Sequence, residues 1–178
     1  MKLFKPLVFS ILAIWGASAC APSENLVAEN DSGSSSLFPT WYQNVEFTSD
    51  SLDYTGFATA IASDSIKAIE RADKQARIHL EKRIAQLTEE IRTDLLESGS
   101  SDVDNADFII ILRTAHSNIE EAASTSQMIS RKTDGYYRGF SSVSITKSEI
   151  KTVLENGFTG HPRYWGEFSS SPSFSTYF

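Results

Sequence analysis

The sequence predicts an α+β domain, a small antiparallel sheet with a long helix packed on one face, in the order β-α-α-β-β-α. Three observations carry that expectation. Apolar residues recur every three or four positions from Ile69 to Leu95, and nothing interrupts them until Gly99. Asp134-Gly135 separates Gln127–Thr133 from Tyr136–Ile145, the pattern of a hairpin closed by a two-residue turn. Leu52 to Ala60 has the threonine and aromatic content of a strand.

Taken in order, the first strand holds Gly56 at its middle, where a glycine marks a bulge or a close approach by another element. Ser63 or Asp64 then caps the long helix. Its stripe is Ile69, Ala72, Ala76, Leu80, Ile84, Leu87, Ile91 and Leu95, one apolar face among charges. Ala68, Ala72 and Ala76 allow a sheet to come close, whereas Leu87, Ile91 and Leu95 need bulkier cover. A helix from Ser63 to Ser98 is about 50 Å long, so its far half needs a second helix or another subunit.

Gly99-Ser100-Ser101 breaks the chain, and Ser101 or Asp104 can cap a second helix bearing Phe108, Ile109, Leu112, Ala115, Ile119 and Ala122. Phe108 to Leu112 also fits a short buried strand; the continuation through Ala122 favours helix. Ile109, Ile110, Ile111 and Leu112 make that turn apolar on nearly every side. Such a turn is buried on every side, which predicts a contact at Phe108, Ile110 and Ile111 with another subunit or with the tail, or else a strand. In the hairpin, Val143 and Ile145 alternate with Ser142 and Ser144, one buried face and one wet. Thr146 or Ser148 opens a third helix, and Asn156-Gly157 closes it.

The region before the domain reads as a leader. Lys2 and Lys5 precede the apolar run Leu7–Trp15, which is too short for a permanent membrane helix. Ala17-Ser18-Ala19 follows, directly before Cys20. This is either a lipobox, with cleavage between Ala19 and Cys20 and lipid on the Cys20 thiol, or a plain secretory A-x-A site. The placement of the lone cysteine favours the lipobox, although Ala17 stands where leucine is usual. Two or three acyl chains anchor a protein stably, and Ala21 after the cysteine points to the outer membrane by analogy with sorting signals. The chain thus divides into a signal peptide at 1–19, a lipidated cysteine and flexible tether at 20–40, an α+β domain at 41–157 and an aromatic-rich tail at 158–178.

Once the leader is gone, 14 basic residues face 23 acidic ones, a net of −9. A surface that acidic repels nucleic acid and anionic lipid, so both are discounted as partners. One cysteine excludes an intrachain disulfide and a thiolate metal cluster.

At this point the leader, the tether ending near Pro39-Thr40-Trp41, and the residues Tyr54-Thr55-Gly56, Asp64, Ala68, Ala72, Ala76-Arg77, Leu80 and Ile84, followed by the Asp134-Gly135 hairpin, resemble the Lpp-twenty family of outer-membrane lipoproteins. The resemblance spans roughly Leu52 to Leu154. It implies envelope anchoring, an oligomeric or assembly role in the manner of flagellar assembly lipoproteins, and no catalytic residues.

No reaction is legible. His79, His116 and His161 have no metal-binding spacing, and His116 with Glu120 reads as a helix-surface contact. No G-x-S-x-G elbow or phosphate loop occurs, and Glu89, Glu90 and Asp94 read as a solvated face. No cofactor or metal is expected. Phe158, Tyr164, Trp165, Phe168, Phe174, Tyr177 and Phe178 crowd the tail; they pack on the chain's own sheet or form a docking surface through Tyr164, Trp165 and Phe168. The expected function is a non-catalytic, lipid-anchored interaction or assembly protein, a homo-oligomer or a subunit with an envelope partner. The alternative is a periplasmic module that binds a small ligand or cell-wall fragment.

Overall fold

The structure, a computed structural model, describes residues 37–178; the leader, the Ala19–Cys20 bond and the tether up to Ser36 lie outside the described residues. The chain runs β1 (Phe47–Ser49), β2 (Asp53–Ala62), α1 (Ser65–Glu97), a 3-10 turn (Asp102–Asp104), α2 (Ala106–Ala122), β3 (Ser124–Thr133), β4 (Tyr136–Thr146), α3 (Lys147–Gly157), α4 (Pro162–Ser169) and α5 (Pro172–Tyr177). Four antiparallel strands stand in the order β1-β2-β4-β3. The fold is α+β, and the expected order β-α-α-β-β-α is embedded in it. Added to it are the short edge strand β1 and the two tail helices.

Local chemistry sets the boundaries. Asp64 caps α1 by accepting the amide of Lys67 at 2.8 Å, and Thr146 with Glu149 forms a reciprocal capping box on α3. The second helix is capped by Asn105, not Ser101 or Asp104, because Asp102–Asp104 forms the 3-10 turn. Gly135 takes φ 82° in the two-residue turn that pairs Thr133 with Tyr136, as a hairpin of that length demands.

One face of the sheet meets α1, and two glycines permit it. A Cβ on Gly56 would stand 2.4 Å from the Ala76 carbonyl oxygen, and one on Gly139 would stand 2.1 Å from that of Ala68. Ala68, Ala72 and Ala76 are fully buried at this contact, so small residues on both partners bring helix and sheet backbones together. The far half of α1 is different. Leu87 and Ile91 are buried by bulky neighbours, among them Leu112, Phe168 and Phe174.

Ser142 departs from the expected wet face: it is 4% exposed. Its register partner is Phe57, and this outer face carries a cover of its own. Tyr42 sets its ring edge against Phe57 and Phe140, with Phe38 beside it. The chain segment that ends the tether therefore packs as part of the fold, starting at Phe38.

Candidate functional site

The residues singled out as an interaction surface are mostly interior. Phe108 and Phe168 are fully buried, Ile111, Tyr164 and Trp165 are half-buried, and Ile110 alone of the set is exposed, at 61%. At Phe108 the predicted contact forms between domain and tail, whereas Ile110, expected to be buried there, stands exposed. Phe108 packs its ring against Phe158, Tyr164 and Phe168 at centroid distances of 5.3–5.8 Å, and Trp165, Phe174 and Phe178 extend the chain of rings to Tyr54 on β2. Two corrections follow. Phe108 and Phe168 offer no surface to a partner, since each is enclosed by the other's helix. The boundary drawn at 157/158 also dissolves, because residues 158–178 contribute Phe158, Phe168, Phe174 and Phe178 to the core they were separated from. Aromatics in serine- and proline-rich sequence carry no period that reveals this; Pro162 and Pro172 at the first turns of α4 and α5 were the available signal.

Polar residues hold the tail as well. Tyr54 donates its hydroxyl to the Tyr177 carbonyl at 2.7 Å, Tyr177 donates its own to Glu90 at 2.8 Å, and Ser173 donates to Asp94. The acidic face of α1 is thus partly a latch. Glu89, Glu90 and Asp94 line a shallow open basin with Arg83, Gln86 and Thr93, and Arg92 holds Glu89 through two nitrogens.

The densest polar cluster lies at the other end of α1. Asp73 accepts from Arg77, Thr125 and Ser141 at 2.7–3.0 Å. Arg77 also donates to the carbonyls of Glu120 and Ala123, which are among the acceptors left over at the end of α2. Burial works against the Asp73 charge, but the hydrogen bonds from Thr125, Arg77 and Ser141 outweigh it and hold the carboxyl below its ordinary range. Every partner here is supplied from within the chain, so the cluster ties α1, α2, β3 and β4 together.

The three histidines occupy three separate places. His161 is exposed and stacks on Tyr164. His79 donates its Nδ1–H to the Phe57 carbonyl at 2.8 Å and accepts from Gln75, so it seals part of the β2 edge that β1 leaves uncovered. Arg71 does the same at the Ile61 carbonyl. His116 reaches between α2 and α1. Thr88, fully buried, donates to the Ala85 carbonyl and accepts the His116 Nε2–H at 2.6 Å. The expected surface pairing of His116 with Glu120 does not form; the His116 ring nitrogen is taken by Thr88 instead.

Burial pushes His116 down from 6.5 to about 4, against the pull of the Glu89 carboxylate. Between those values the unfolded chain binds a proton that the folded one refuses, so stability is full above pH 6.5 and falls as the pH drops toward 4. The loss reaches about 2–3 kcal/mol. Urea denaturation at pH 7 and pH 4.5 should show this loss in the wild type and much less of it in His116→Gln. Equal pH slopes in the two proteins would remove His116 as the cause.

Among the described residues no group of three or more His, Cys, Asp or Glu is placed to hold a metal ion, and no helix is long and apolar enough to cross a membrane. Nor do Ser141 and Asp73, the best-buried hydroxyl–carboxylate pair, have a histidine beside them; their other neighbours are Thr125 and Arg77. Comparison with protein-family models, with curated proteins and with solved structures finds no match to this chain.

Proposed function

We propose that this chain is a lipid-anchored envelope protein whose folded domain acts as a non-catalytic interaction or assembly module, with the outer membrane as its site. The observation that carries the reading is the join between anchor and fold. The chain enters the described residues at Leu37, 17 positions after Cys20, and is pinned at once by Phe38, Pro39 and Tyr42 against the outer sheet face. That arrangement starts the fold a short stretch of chain after the cysteine, as a domain held near an anchoring lipid would. The polar clusters support the non-catalytic half of the proposal, because their donors and acceptors are used up inside the fold. The resemblance to the Lpp-twenty family belongs to this reading too; Gly56, Ala68, Ala72 and Ala76, which carry it, are packing residues and bring no reaction with them.

The alternative of a ligand-binding module loses its stacking platform, since the tail aromatics are spent on the core. Assembly through Phe108–Leu112 keeps only Ile110 as exposed apolar surface, and a homo-oligomer or envelope partner would have to engage a further surface. Cys20→Ser should release the protein from the membrane fraction and abolish labelling by a fatty-acid analogue. Unchanged membrane partition in that variant would end the lipid-anchor reading.

A further inference from the structure

A net charge of −9 conceals an uneven distribution. The hairpin from Ser124 to Thr146 carries Arg131, Lys132 and Arg138 against Asp134 alone, so it is net positive on a strongly acidic chain. Arg131 and Arg138 are direct register partners, and Arg138 in turn faces Ile61 on β2. Residues opposite one another across an antiparallel pair share a face, so Ile61, Arg138 and Arg131 form one row across three strands. It is the outer face, the one away from α1, because the next row holds Phe140, which lies under Phe38 and Tyr42. By register Asp53 lies on this face eight residues along β2 from Ile61, about 26 Å away at strand spacing, and Glu46, whose carbonyl accepts the Phe57 amide, adds a nearer acid at the β1 edge.

Three further features converge on this row. Ile61 is 48% exposed and Leu37 is 45% exposed, and Trp41 stands half-buried with its ring against Tyr42. The described residues also begin on this face, with Leu37 next to Phe38, whose ring meets Phe140.

Guanidinium groups beside tryptophan, tyrosine and exposed aliphatic side chains suit one environment above others: the headgroup layer of a bilayer, where the rings sit at the polar boundary and the cations meet phosphate. We propose that this outer sheet face rests on the anionic headgroups of the membrane that carries the lipid of Cys20. The proposal rests on the lipid-anchor reading for its choice of membrane, while the contact itself involves none of the anchor's chemistry. It also orients the molecule, with the acidic helices turned away from the bilayer.

The test uses the processed chain with Cys20→Ser, which carries no lipid, sedimented with vesicles of mixed phosphatidylglycerol and phosphatidylethanolamine or of phosphatidylcholine alone. The expected result is at least about tenfold preference for the anionic vesicles, weakened by added salt. Arg138→Gln and Arg131→Gln should each cost about fivefold in partition, whereas Arg113→Gln, on exposed α2 surface, should cost nothing. Equal partition onto both vesicle types, no binding to either, or an equal loss in Arg113→Gln would overturn the proposal. The headgroup comparison on the chain with intact arginines decides the matter even where an arginine variant fails to fold. Fatty-acid labelling of the wild type separates the two readings. A labelled protein whose unlipidated form ignores anionic vesicles loses the sheet face and keeps the anchor; an unlabelled protein that binds them loses the anchor.

Discussion

Phe168→Ala should destabilise the domain by about 3–5 kcal/mol, the range for truncating a buried phenylalanine. Its ring is fully buried and meets Phe108, Phe158 and Phe174 at centroid distances of 5.5–5.8 Å. Removing it opens a void at the point where α4, α5 and α2 converge on α1, and the neighbouring rings lose their edge contacts together. The surrounding elements cannot collapse easily into the gap, because Tyr54, Tyr177 and Glu90 hold α5 in place from the other side. Urea denaturation of the purified domain measures the loss. A change below about 1 kcal/mol would mean that the tail helices are an appendage whose packing contributes little.

A still larger loss is expected for Ile91→Asp. Ile91 is fully buried on the far half of α1, where the sheet no longer reaches and the cover comes from α2 and the tail. A carboxylate there has no partner and must either ionise in apolar surroundings or stay protonated at neutral pH, and both are costly. About 4 kcal/mol or more is the expected loss, a fall in Tm of about 10–20 °C for a domain of this size. Ile110→Asp is the matched control. With Ile110 61% exposed, the same chemical change should move stability by no more than about 0.5 kcal/mol. Melting curves of the two variants decide it. Similar shifts would show that burial along these helices is not as described, and a large shift in Ile110→Asp alone would point to a partner covering α2.

The contrast between those two isoleucines marks how far the sequence was legible. The stripe on α1 followed from spacing alone, since a helix 33 residues long repeats its face often enough to be unmistakable. The hairpin followed from Asp134-Gly135, because few other dipeptides suit its turn. Gly56 was readable as a close approach, and it sits against Ala76. Gly139 makes the tighter approach, and nothing in its local sequence marks it. The tail was misdivided because helices of eight and six residues span too few turns to show periodicity, and their burial depends on partners more than fifty residues away. The same limit applies to the polar clusters. Thr88 and His116 lie 28 residues apart and Arg77 and Thr125 lie 48 apart; nothing in their local sequence announces the pairing. Short β1 was missed because three residues held by Gly56, Thr55 and Tyr54 across the strand have no pattern of their own.

The packing of the tail has a consequence in time. The first elements, β2 and α1, present their apolar surface as soon as they form, but the rings that cover the far half of α1 belong to residues 158–178. Pairing of β2 with β4 must likewise wait while both long helices pass, since Asp53 meets Thr146 and Ala62 meets Tyr137; contacts so distant along the chain form late. In a chain made N-terminus first, the beginning of the domain stays open to water until its end has arrived. The last 21 residues therefore close the core, and a chain interrupted before Phe168 would carry every strand of the sheet and still lack a finished core.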